Sequence, residues 1–191
     1  MSDYMVDETS GRATVRYGHV AAFFHWLTLL LVLVQLYLGF TFTDLPKGSP
    51  ERMQTFAWHK TVGATILIVV LLRLANRLIN PPPPYPSDMP KWDRALAVWS
   101  HRLFYVLLVA LPLTGLIAAS KPGSAWVDLV GGLRLPAIPI GPGFGDTHEV
   151  LVFVTIALVV LHVAAGVWHQ WIRKDHAAGR MPPLPVSHAS E

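Results

Sequence analysis

Six of the nine histidines, His25, His59, His101, His148, His162 and His169, fall within or at the edges of long apolar stretches. An ionisable side chain is costly in such a setting and reads as functional. Imidazole can ligate a metal, move a proton or hydrogen-bond there. Spacing favours ligation. His148 and His162 are fourteen residues apart, which at about 1.5 Å per residue is roughly 21 Å and about 3.9 turns, so both share nearly one helix face. Polar residues along that stretch, His148, Thr155, His162 and His169, recur every seventh position and keep one seam turned to neighbouring helices.

The elements that must carry these residues are transmembrane helices. The 191-residue chain is 52% apolar and only 14% charged, with its apolar residues gathered into blocks of about the 20 needed to cross a bilayer. The reading is all-α, a transmembrane four-helix bundle with helices at about 20–40, 58–79, 96–119 and 147–172. The first block is too long for a signal-peptide core and has no A-x-A-like site behind it, so it is expected to stay as a helix. Residues 1–18 read as a cytoplasmic tail, 19–175 as the membrane domain and 176–191 as a second cytoplasmic tail, Pro-rich and expected to be disordered from Ala177 on.

Orientation follows from the basic residues. Ten of fifteen lie in the N-terminal tail (Arg12, Arg16), around the second loop (Arg73, Arg77, Lys91, Arg94, Arg102) and in the C-terminal tail (Arg173, Lys174, Arg180). Lys47, Arg52, Lys60, Lys121 and Arg134 flank the other two loops. The positive-inside rule then puts both termini of this multi-pass membrane protein in the cytoplasm. The basic excess is explained by the membrane, and no nucleic-acid partner is expected.

Along the chain, His25 shares a face of the first helix with Thr28, Gln35 and Gly39, and Gly63 leaves a notch one turn after His59. The run Asn80 to Pro86 cannot be helical and reads as a stiff polyproline connector. The third helix aligns His101, Tyr105, Pro112 and Gly115, with Pro112 a kink. The loop from Ser120 to Thr147 is the longest, with Trp126 and Arg134 as anchors, and a loop of that length is often functional.

Alternating spans bring the start of the first helix level with the end of the fourth, so His25 and His162 lie at one depth, and His59 and His148 at another. With no cysteine in the chain, thiolate ligands, Fe–S clusters and covalent haem attachment are excluded. Two imidazoles per site, with small residues such as Gly63 and Gly166 near the seam, suit non-covalent, six-coordinate b-type haem held between facing helices. His101 and His169 share the cytoplasmic half with Arg73, Arg77 and Arg102, as donors for haem propionates or a quinone headgroup. His19 reads as a helix cap or surface group, and His176 and His188 as solvated tail residues.

The ordered set of motifs resembles the bacterial cytochrome b561 family of four-helix di-haem membrane proteins, and within it the superoxide oxidase branch. It comprises H-W at His25 and Trp26, W-H-K-T-V-G from Trp58 to Gly63 with V-L-L-R-L ending at Leu74, and H-R-L-F-Y-V-L-L-V-A-L-P-L-T-G-L from His101 to Leu116. It ends with H-E at His148 and H-V-A-A-G-V-W-H from His162 to His169. The resemblance covers roughly residues 18 to 175. It implies two haem b groups, held by the positions that are His25 with His162 and His59 with His148. It also implies electron transfer to ubiquinone or another quinone and, for the branch, oxidation of superoxide to oxygen by an oxidoreductase of superoxide:quinone type.

On that reading the metal ligands are His25, His59, His148 and His162. Arg73, Arg77, His101 and His169 serve propionate or quinone, and Lys121 with Trp126 are the catalytic candidates on the outer face. A site that collects anions should be positive, yet the outer set of basic residues is matched by Asp44, Glu51, Asp128, Asp146 and Glu149. Two other readings compete: a cytochrome b anchor subunit of a larger dehydrogenase or hydrogenase with a partner redox subunit, and a metal transporter. The latter would want carboxylates near mid-membrane, and the spans have none there.

Overall fold

The computed structural model describes residues 4–7, 14–85, 89–173, 175 and 177–184. Four helices are long and apolar enough to cross a membrane: α1 (His19–Asp44), α2 (Pro50–Ile79), α3 (Lys91–Ala119) and α4 (Phe144–Val167), the last running on through a π-helical turn, Trp168–Ile172. The chain is an all-α transmembrane four-helix bundle. Large side chains such as Leu30, Leu72, Phe153 and Leu161 are at least half exposed. For these the hydrocarbon interior of a bilayer replaces a protein core as the apolar medium.

Each helix begins before its apolar block, and at α2 a polar cap sets the start. α2 begins at Pro50, eight residues before the position expected from hydropathy. Ser49 Oγ accepts the Arg52 amide at 3.2 Å, Pro50 takes the first helical position and Glu51 sits in the first turn. That combination caps a helix N-terminus and suits its dipole. α3 starts at Lys91 and α4 at Phe144, with Asp93 and Asp146 in their first turns.

Four short strands were not expected. β1 (Tyr4–Asp7) and β2 (Thr14–Tyr17) pair antiparallel in the segment read as a tail. β3 (Trp126–Asp128) and β4 (Arg134–Pro136) form a hairpin in the long loop, with Trp126 opposite Pro136 and Asp128 opposite Arg134. Its tip turns through Gly131 and Gly132, both at φ 75°, a conformation that costs other residues a Cβ clash. The C-terminal expectation is corrected as well: residues 177–184 pack against the protein through a 3-10 turn at Ala178–Arg180 instead of trailing as a disordered tail. His176, His188 and Lys174 lie outside the described residues.

The chain divides into two compact units, each built from one portion of all four helices. One comprises residues 1–26, 72–105 and 155–191, the other residues 27–71 and 106–154.

Candidate metal centres

In the second unit, His59 on α2 and His148 on α4 face each other with ring centres 6.4 Å apart and planes at 84°. The His148 Nδ1–H donates to the Leu111 carbonyl at 2.9 Å, and Thr114 Oγ1 lies 3.2 Å from the same nitrogen. A partner of this kind fixes the tautomer and turns the other nitrogen outward as a ligand. Gly115 allows the close approach, since a Cβ there would lie 3.0 Å from His148 Cε1. His59 is enclosed by Phe42, 5.3 Å away, and by Gly39, where a Cβ would meet its ring at 3.2 Å. Its Nε2 is 3.1 Å from Gln35 Nε2, while its Nδ1 and Gln35 Oε1 are buried without a hydrogen-bond partner. The notch at Gly63 admits the Gln35 amide, which reaches the His59 ring beside it, whereas Gly166 meets nothing within 4 Å and shapes no seam.

In the first unit, His25 on α1 and His162 on α4 have ring centres 6.4 Å apart with planes at 56°. Arg73 Nη2 lies 3.1 Å from His25 Nδ1. His101 and Phe104 on α3 flank His162 at 5.5 and 5.3 Å. The His101 Nδ1–H donates to Ala97 O at 2.5 Å.

The separation tests whether these residues fit a metal. Two imidazoles on opposite sides of one ion, each with a metal–nitrogen bond of about 2.0 Å and a ring centre about 1.1 Å beyond its nitrogen, have centres roughly 6.2 Å apart. Both pairs meet that spacing. The residues therefore fit a metal held by paired imidazoles, and His148 brings the expected hydrogen-bonded partner.

A model described as prokaryotic cytochrome b561 matches residues 16–183. The chain belongs to that family. Relatives in Escherichia coli (strain K12) include cytochrome b561 homolog 2, 29% identical over 172 residues, which are 87% of this chain and 90% of the relative. Cytochrome b561 homolog 1 from the same organism is 27% identical over 171 residues, 88% of this chain and 97% of that one. A probable superoxide oxidase CybB of Yersinia pestis is 29% identical over 166 residues, 83% and 91% of the two chains. As a cytochrome b561 the chain is a multi-pass membrane protein with a haem b electron-transfer role.

The remaining expected site residues fall into three places. Arg73, Arg77 and His101 line one cleft with Asn76, Asn80 and Tyr105, where both guanidinium groups sit over the Tyr105 ring at 5.8 Å. Tyr105 and the two asparagines carry the polar atoms that the histidine-based reading missed.

His169 is not among them. It lies in the π-helical turn, closed by Arg173 N to Trp168 O at 2.9 Å. His169 joins Asp175 (2.7 Å) and Asp93 (3.4 Å), while Arg173 pairs with both carboxylates at 3.3 and 2.6 Å.

Lys121 and Trp126 lie in the second unit. Trp126 is about half exposed on the outward side of β3, and Lys121 is exposed. Lys121 repels Lys60, whose ammonium donates to the Asp128 carbonyl at 2.6 Å. Arg134 is paired with Asp128 at 3.0 Å, which leaves Lys60 and Lys121, close enough to repel each other, as the positive charges around the hairpin.

Proposed function

We propose that this protein is a di-haem b oxidoreductase of the bacterial inner membrane that moves single electrons from a small donor outside the cell membrane, superoxide, to membrane quinone. The observation that carries the reading is the repetition of one geometry: two histidine pairs, each 6.4 Å between ring centres, on two different sets of helix segments.

When bound, haem iron supplies reversible one-electron chemistry at a potential set by its ligands and surroundings. The chain does the rest. His59 and His148 hold one group, and His25 and His162 the other. Leu111 O and Thr114 orient His148. Lys60 and Lys121 draw an anion toward His59, a short-range effect in a unit whose total charge is balanced. The Arg73, Arg77, His101 and Tyr105 cleft offers N–H and O–H donors to quinone carbonyl oxygens. Two superoxide ions give up two electrons and become two oxygen molecules, and one quinone takes those electrons with two protons to become a quinol.

Purified protein should contain about two haems per chain with a split reduced b-type band. A superoxide-generating system should reduce the haems, and a short-chain quinone should reoxidise them. Haem that superoxide does not reduce would overturn the donor assignment. Reduced haem that quinone leaves reduced would overturn the acceptor.

A further inference from the structure

The segment after the fourth helix lies on the same cleft. Arg180 is 7% exposed, and its Nη2 donates to the carbonyls of Pro83 and Pro84. Its guanidinium also faces the rings of Tyr85 at 5.1 Å and Tyr17 at 5.8 Å. Prolines have no N–H to engage in helix or sheet, so the connector presents a row of free carbonyls to such a donor. Two more contacts secure the far end: Trp26 Nε1 donates to Pro182 O and Arg16 Nη2 to Leu184 O, both at 2.6 Å. Between these anchors Met181 reaches the cleft and lines it together with Arg73, Arg77, His101 and Tyr105.

Arg180 is the group on which this depends. Burial lowers its pKa from the ordinary value, and Tyr17 and Tyr85 work against that shift, yet arginine stays charged throughout. A buried guanidinium is tolerated only while its donors are paired. Once away from the connector it is better off in water than in the cleft. Methionine suits a wall that must adapt to a ligand, because its unbranched thioether fills irregular gaps.

We propose that residues 177–184 form a hinged wall of the quinone cleft, with Arg180 as its latch and Met181 as the side chain that packs on the quinone ring. The proposal rests on the quinone reading above. Exchange of the headgroup then requires the Arg180 contacts to open, and a bound ring holds the segment docked.

The chain has no cysteine, so Met181→Cys in the haem-loaded protein gives a single reporter for a thiol reagent. Saturating short-chain quinone should slow labelling by about fivefold or more, and adding Arg180→Ala should speed it by about tenfold or more, the scale of losing hydrogen bonds to a charged group. Met181→Trp should raise the quinone KM while the haem content and reduced spectrum stay unchanged. Tyr105→Leu separates the two readings. If Tyr105→Leu alters the quinone KM while labelling ignores both quinone and Arg180→Ala, the hinged wall is wrong and the cleft stands. If neither Tyr105→Leu nor Met181→Trp alters quinone kinetics, the cleft is wrong and the wall falls with it.

Discussion

A histidine that serves a metal through one nitrogen must keep a proton on the other, and in an apolar medium that N–H wants an acceptor. His148 has one in the Leu111 carbonyl. His25 instead meets Arg73 at Nδ1. A guanidinium only donates, so when Nε2 is given to a metal and Nδ1 carries the proton, Arg73 must turn to another acceptor, such as an anionic group on the cofactor. The pairing sets the outcome of single substitutions. His25→Ala or His162→Ala should each lower the haem-to-protein ratio from about two to about one and remove one component of the reduced band, and His59→Ala or His148→Ala should remove the other. Loss of both components from all four variants would show that each site depends on the other being filled. That His25 meets His162, and His59 meets His148, was legible from depth alone, because helical rise and alternating spans set both. The place of Arg73 beside His25 was not, since a depth argument locates residues along a helix and says little about which donor a long side chain selects.

At the scale of elements, hydropathy found all four helices and the ends of three, at residues 79, 119 and 172, but set their starts too late. Ser49, Pro50 and Glu51 were readable as a cap, but they precede the apolar block that drew attention to the helix. The β3–β4 hairpin escaped for a different reason: three-residue strands are too short to show an alternating pattern. Its position is set from outside by α2, through Lys60 Nζ to Asp128 O and the Val130 amide to Thr61 Oγ1 at 3.0 Å, and by Val127, which is 4% exposed. Lys60→Met combined with Thr61→Val removes both ties, each worth about 1 kcal/mol. Amide exchange in residues 126–136 should accelerate by roughly thirtyfold, with haem content unchanged. Unaltered exchange would mean that Val127 alone holds the hairpin. Because Lys60 is the next residue after His59, the same variant should also slow reduction of the protein by an anionic donor, more so at low salt, where charge steering is strongest. The π-helical turn is another element the sequence pattern hid, since the recurrence from His148 to His169 continues through it undisturbed.

At the scale of the molecule, the division into two units also divides the charge. The unit of residues 1–26, 72–105 and 155–191 carries all ten basic residues assigned to the inner side, against seven acidic ones. The other unit carries five of each. A basic excess near the ends of spans resists translocation, so the first unit, with both chain termini, is expected on the cytoplasmic side and the His59–His148 unit toward the outside. The cysteine-free chain makes this measurable with single introduced thiols. An impermeant reagent should label Ala125→Cys, which lies just before the hairpin, in intact cells. It should label Ser190→Cys only after the membrane is permeabilised. The reverse pattern would exchange the two faces and put the Arg73–Arg77 cleft on the donor side. Superoxide from outside would then meet a guanidinium-lined cleft, and the quinone would have to bind beside Lys60 and Lys121. Orientation thus decides which histidine pair receives the electron first, and the bias of five basic residues over the opposite unit is what assigns that role to His59 and His148.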